Sequence, residues 1–145
     1  MVASFIVGNE TGLEPLASIM SIRVCDANGD CLVSEVSAGL KYIFKVTGNG
    51  AKPGIINISL HFKYVPILVK RITQVIPFQN LMLIVAQLNE IGYAILVVAA
   101  DNQGENVNSH FPGNCSFIIT VAAHDSQFRF ATRFSNYGFL PHCQY

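Results

Sequence analysis

The run Ala94–Gly104, AILVVAADNQG, sets a single amide side chain, Asn102, at the end of a continuous apolar segment. An apolar strand that stops there presents the amide at the edge of its sheet, where open α/β sheets bind their ligands. Such an amide can both donate and accept hydrogen bonds with a bound molecule. Asp101 stands directly before it, on the same turn, and adds a carboxylate.

The other chemistry-bearing residues form no comparable constellation. His61, His110, His124 and His142 are the histidines of the chain. His124, Asp125 and Ser126 are neighbours in sequence, a placement that does not build triad geometry. They read as exposed loop residues. Glu10, Glu14, Glu35, Glu90 and Glu105 show no spacing that pairs carboxylates for acid–base work. No GxSxG motif is present, and no GxGxxG or P-loop follows any strand, which disfavours a Rossmann or flavodoxin-like binder. Cys25 and Cys31 flank the turn CDANGDC, a spacing that permits a local disulfide and equally permits two reduced thiols. Cys115 and Cys143 complete a set without paired-CxxC zinc spacing, so neither a metal nor a cofactor is expected.

Composition bounds the partners. With 51% hydrophobic and 12% charged residues, against about 25% charged in ordinary soluble domains, the chain is short of solubilising surface. Either it belongs to a larger folded body or it hides an apolar face in a partner. Nine basic and nine acidic residues cancel, so no footprint for nucleic acid exists. The one basic cluster, Lys63, Lys70 and Arg71, is interleaved with apolar residues and reads as a solvated face. No apolar run reaches the ~18–20 residues of a membrane span. The start MVASFIV lacks the basic region and cleavage site of a signal peptide, and the compartment stays open.

The elements that position Asn102 alternate. Met1–Gly8 reads as the end of a helix and Ser18–Cys25 as a strand. Ser34 is the expected cap of a helix to about Lys45, with Val36, Leu40, Ile43 and Phe44 on one face. Ile55–Leu60 is a second strand and Gln79–Ile91 a second full helix, closed by Gly92. Tyr93–Ala100 and Phe117–Ala123 are further strands, while His61–Pro77 has no assignment. The order and the near-continuous apolar strands predict one α/β domain over residues 1–145, a parallel sheet with helices on both faces.

Taken in order, several segments resemble the subtilisin-like serine peptidases, the subtilases. Met1–Ser4 is similar to the last four residues of that family's HGTHVAG motif. LEPLASIMSIRVCDANGDC and the helix SEVSAGLKYIF match the family's next strand, turn and Gly-containing helix. AKPGIINISL is similar to the strand ending in Asn-x-Ser-Leu, and VVAADNQG to VVAAAGN-G. PGNCSFIITVAAHDSQFRFATRFSNYG resembles the strand and loop leading to Phe-Ser-x-x-Gly, with Pro-x-Asn-Cys similar to secreted bacterial members. Each piece alone is weak; six in order are specific.

The resemblance implies a partial subtilisin-like three-layer fold and serine endopeptidase chemistry. Asn102 falls on the oxyanion-hole asparagine. Ser59 and Leu60 fall on the strand edge that pairs with an extended peptide, and Ala99 and Ala100 on the opposite wall of its pocket. His61 and Phe62 replace the family's Gly-Gly, and Asp101 replaces the glycine before the asparagine. Asp101 is then a determinant for basic substrates or a tolerated drift. The positions matching the catalytic aspartate and histidine precede Met1, and GTSMA would follow Tyr145. The expectation is a chain inactive alone, a fragment or degenerate homologue. Its partners are a peptide or protein segment, and a complementing chain or second copy covering exposed sheet. The alternative is a non-catalytic peptide-binding module on the same sheet.

Overall fold

The computed structural model describes residues 2–47, 54–60, 62–63, 80–81, 83–88, 94–115, 118–131 and 133–138. Its centre is a three-stranded parallel sheet: β1 (Gly54–Ile58), β3 (Ala94–Ala99) and β5 (Ile119–Val121), with β3 in the middle. Ile56 lies opposite Leu96 and Ile58 opposite Val98, while Val98 also faces Thr120. The short β2 (Phe62–Lys63) pairs antiparallel with β4 (His110–Phe111) to one side.

Alternation along β1 and β3 divides the sheet into two faces. Ile56, Ile58, Ala94, Leu96 and Val98 are buried in the core cluster. Two helices supply its other half: Val36 and Leu40 of α2 (Val33–Val46), and Leu81, Ile84, Val85 and Leu88 of α3 (helical residues 80–81 and 83–88). The opposite face is open, with Ile55, Ile95, Ile119 and Val121 all more than half exposed. The helix α1 (Val2–Val7) buries none of its residues. The two described helices that pack on the sheet, α2 before β1 and α3 between β1 and β3, share its buried face.

α2 carries the expected apolar stripe, with Ile43 and Phe44 packed against the core beside Val36 and Leu40. Its start differs. Leu32, in extended conformation, is the N-cap without a side-chain bond, and Val36 N–H closes the first turn on Leu32 O at 3.1 Å. Ser34 thus lies inside the first turn, two residues past the cap the helix uses.

Residues 18–25 form no strand, contrary to their alternating pattern. Their apolar side chains serve α2 instead. A Cβ on Gly39 would stand 2.7 Å from Val24 Cγ1 and 3.2 Å from Ile22 Cγ2, so only glycine lets this segment lie so close. No ladder partner runs beside it among the described residues, and alternation alone does not order a backbone into strand. A cleft of about 380 Å³ lies between this segment, α2 and the end of β1.

Cys25 and Cys31 are joined by a disulfide. Inside that loop the Asp26 carboxylate accepts the N–H groups of Asn28 and Asp30, each at 2.9 Å. The Asp30 bond chiefly holds the Asp26 carboxyl below its ordinary range, with slight desolvation opposing. Cys115 is buried. Among the described residues no helix is long and apolar enough to cross a membrane.

Candidate active site

Because β1 and β3 run parallel with Ile58 opposite Val98, the residues after them emerge at the same end of the sheet. Ser59 is exposed there and Leu60 half-buried against the core. Ala99 closes β3 half-buried, and Ala100 is buried with its N–H on Val121 O at 2.9 Å. Asp101 and Asn102 follow directly. The sequence-predicted residues Ser59, Leu60, Ala99, Ala100, Asp101 and Asn102 therefore share one carboxyl-end edge. His61 lies outside the described residues.

The turn that carries Asn102 is fixed from two sides. Asp101 has φ +85°, a left-handed conformation that few side chains adopt. Its Oδ1 accepts the Asn102 N–H at 2.7 Å, and its own carbonyl accepts the Asn136 N–H at 2.9 Å. Asn136 is wholly buried, and its side-chain oxygen accepts the N–H groups of both Gln103 and Glu105 at 3.0 Å. Gly104 N–H donates to Phe134 O at 2.6 Å and Val107 N–H to Tyr137 O at 2.8 Å. Ser135 is buried, and its hydroxyl accepts the Ala123 N–H at 2.9 Å, tying the same loop to the end of β5. Residues 133–138 thus bolt the turn to the sheet.

Asn102 itself is exposed, and its side-chain amide makes no hydrogen bond among the described residues. The amide thus projects from a turn that is hydrogen-bonded on both sides. A second cleft, about 280 Å³, opens beside the turn between Ala100, Thr120, Tyr137 and Gly138.

Beneath the turn lies a group that sequence reasoning missed. His110 is 1% exposed. Its Nδ1 lies 3.3 Å from Asp101 Oδ2 and its Nε2 3.1 Å from Glu105 Oε2. The Asp101 carboxylate is therefore directed into the turn and onto the imidazole. Burial of His110 had one faint signal, the apolar Phe111 and Pro112 that follow it; nothing in the spacing linked it to Asp101. The role of Asn136 was equally hidden, although FSNYG stood out as a motif. His124, by contrast, is exposed as expected. Among the described residues no group of His, Cys, Asp or Glu is arranged to hold a metal, since each ring nitrogen of His110 faces a different carboxylate.

The Subtilase family model matches residues 1–142. An extracellular serine proteinase of Thermus sp. (strain Rt41A) is 32% identical over 138 residues, covering 94% of this chain and 29% of its own length. Subtilisin-like protease 3 of Pseudogymnoascus destructans is 31% identical over 139 residues, covering 94% of this chain and 31% of its own. Among solved structures, a cold-adapted subtilisin-like serine proteinase superposes with a TM-score of 0.78 at 22% identity, over 96% of this chain and 44% of that one. At that identity the superposition establishes the α/β fold, while the family match rests on residues 1–142. The chain, which spans less than a third of the two relatives' length, belongs to the subtilase family.

Proposed function

We propose that this chain carries the sheet, the substrate-groove edge and the oxyanion donor of a subtilisin-like serine endopeptidase. One observation supports the reading above the others: Asn102 offers an uncommitted amide at the tip of β3, on a turn that Asn136 holds rigid. Acyl transfer drives negative charge onto the scissile carbonyl oxygen, and a preorganised N–H donor stabilises that charge without reorganising. The main chain at Ser59–Leu60 would pair with an extended peptide, giving affinity through backbone bonds and selection through side-chain pockets. Leu60, Ala99 and Ala100 would shape the pocket before the cut.

No residue of this chain matches the family's nucleophile, base or orienting acid. A triad needs all three within hydrogen-bond reach, so on this reading residues 1–145 depend on added segments for peptide hydrolysis. The test has two parts. The purified chain is assayed with an extended fluorogenic peptide, and no turnover is expected. The chain is then joined to the triad-bearing segments of a subtilisin-like relative, which restores cleavage. In that hybrid Asn102→Ala lowers kcat about 10²–10³-fold, a figure that itself comes from a subtilisin. Turnover by the chain unaided, or an Asn102→Ala hybrid as fast as its parent, overturns the proposal.

A second reading is a non-catalytic peptide-binding module. It draws on the pairing of Phe62 with Phe111, which takes the backbone at the family's Gly-Gly position into the β2–β4 ladder. Peptide affinity that rises when Phe62→Gly is introduced, in a hybrid that stays inactive, would favour it.

A further inference from the structure

We infer that Asp101 and His110 act as one unit, in which His110 is a positioning residue that sets the turn bearing Asn102 through the Asp101 carboxylate. As a statement about an oxyanion donor this rests on the function proposed above; as a statement about the turn it does not.

Two features make Asp101 costly on its own. Its backbone lies at φ +85°, where glycine is the undemanding residue. Its carboxylate is almost fully buried, and a buried charge is unfavourable unless it is paired and hydrogen-bonded. The strain is met locally, and the buried carboxylate in part, through Oδ1 by a hydrogen bond and through Oδ2 by proximity to the imidazole. Aspartate is among the few residues that tolerate the left-handed region, because its short side chain can bond nearby backbone. Here Oδ1 takes the Asn102 N–H at 2.7 Å. Oδ2 then faces His110 Nδ1 at 3.3 Å, with the imidazole shielded from water.

The consequence for Asn102 is mechanical and electrostatic. The carboxylate grips the backbone N–H of the residue whose side chain is offered to the ligand. That same carboxylate, one residue away, opposes negative charge gathering on a bound oxygen. A polar partner behind it, with a ring nitrogen turned toward the carboxylate, reduces that opposition. His110 stands there, its far nitrogen steadied by the partly exposed Glu105 at 3.1 Å. The charged groups facing the ring among the described side chains are Asp101 and Glu105, and Lys63 is its backbone partner across β2. Where the family pattern has glycine, neither the strain nor the buried carboxylate would arise, and no such partner would be needed. Asp101 and His110 are therefore a matched pair, and each is harmful without the other.

The test is a double-mutant cycle on the whole chain with His110→Ala, Asp101→Gly and both together. The readouts are the urea midpoint and the Asn102 and Glu105 amide resonances. His110→Ala is expected to lower the midpoint and move both resonances. Adding Asp101→Gly is expected to recover at least about half of the lost midpoint, because contacting residues do not add. Independent, additive losses overturn the inference. If His110→Ala alone does not fold, the double variant must fold; a double variant that stays unfolded is equally fatal. A histidine that merely filled space would not give the rescue. No peptide enters these measurements, so their failure leaves the oxyanion reading standing, and lost peptide binding leaves the pairing standing.

Discussion

Asn136 and Gln103, 33 residues apart, meet through both ends of the asparagine amide: Oδ1 accepts the Gln103 N–H at 3.0 Å, and Nδ2 reaches Gln103 Oε1 at 3.5 Å. The same Oδ1 also holds Glu105 N–H. Truncation by Asn136→Ala leaves two backbone donors without an acceptor in a part-buried turn, at about 1–3 kcal/mol each. The expected loss in stability is about 2–4 kcal/mol by urea denaturation. Amides of residues 102–106 should also lose protection from hydrogen exchange well before those of β3. Uniform loss of protection across the sheet would contradict a local latch.

The disulfide closes a small loop. With Cys25 and Cys31 six positions apart, the chain-entropy relation gives about 2 kcal/mol of stabilisation. The double variant Cys25→Ser, Cys31→Ser should lose about that much in denaturant unfolding. The turn itself should persist, because the Asp26 carboxylate still gathers the Asn28 and Asp30 N–H groups. Loss of those amide resonances in the variant would show that the disulfide, not Asp26, orders the turn.

Acid should open a second turn at Asp125. Its carboxylate accepts Arg129 N–H at 3.0 Å, Arg129 Nε–H at 2.9 Å and Gln127 N–H at 2.8 Å. The Arg129 backbone bond leads in holding this carboxyl below its ordinary 3.8; partial desolvation opposes, and the Arg129 side chain, Gln127 and His124 assist. A carboxyl lowered on folding stabilises fully above its unfolded value and loses that contribution as pH falls through the folded one. The Gln127 and Arg129 amides should hold constant down to about pH 4 and shift only below it. Asp125→Asn should abolish that acid response. A transition centred above the ordinary carboxylate range would reverse the sign and refute the assignment.

The open sheet face makes a prediction about association. Ile55, Ile95, Ile119 and Val121 form an exposed apolar surface on one side of β1, β3 and β5. At about 25 cal/mol per Å², a few hundred Å² of such surface amounts to several kcal/mol. The 145-residue chain should therefore self-associate at micromolar concentration in analytical ultracentrifugation. Ile95→Lys should shift it toward monomer while changing intrinsic stability by only about 0.5 kcal/mol. A dilute monomer with a sharp two-state transition and no dye binding would contradict this.

The parts of the fold legible in the sequence were those that local pattern determines. Apolar runs marked β1, β3 and β5, and the 3.6-residue stripe marked α2. Residues 18–25 misled because Ile22 and Val24, two positions apart, pack against Gly39 of α2, a tertiary contact that shares the period of a strand without its ladder. The candidate edge was legible as far as Asn102, since β1 and β3 must end together once they pair in parallel. The support beneath it was not. Asp101, His110 and Glu105 meet through a turn geometry set by a positive φ, and Asn136 joins them from the far side of β5. Such contacts are made by the fold, and no spacing rule announces them.

The most direct measurement is a ¹⁵N-resolved NMR titration of the purified chain with an extended, uncleavable apolar peptide. The side-chain NH₂ signals of Asn102 should shift together with the amides of Ser59, Leu60 and Ala99, and Asn102→Ala should weaken binding without altering the Ser59 response at saturation. Peptide-induced shifts confined to other regions, with the Asn102 side chain unmoved, would show that this amide does not face a peptide groove.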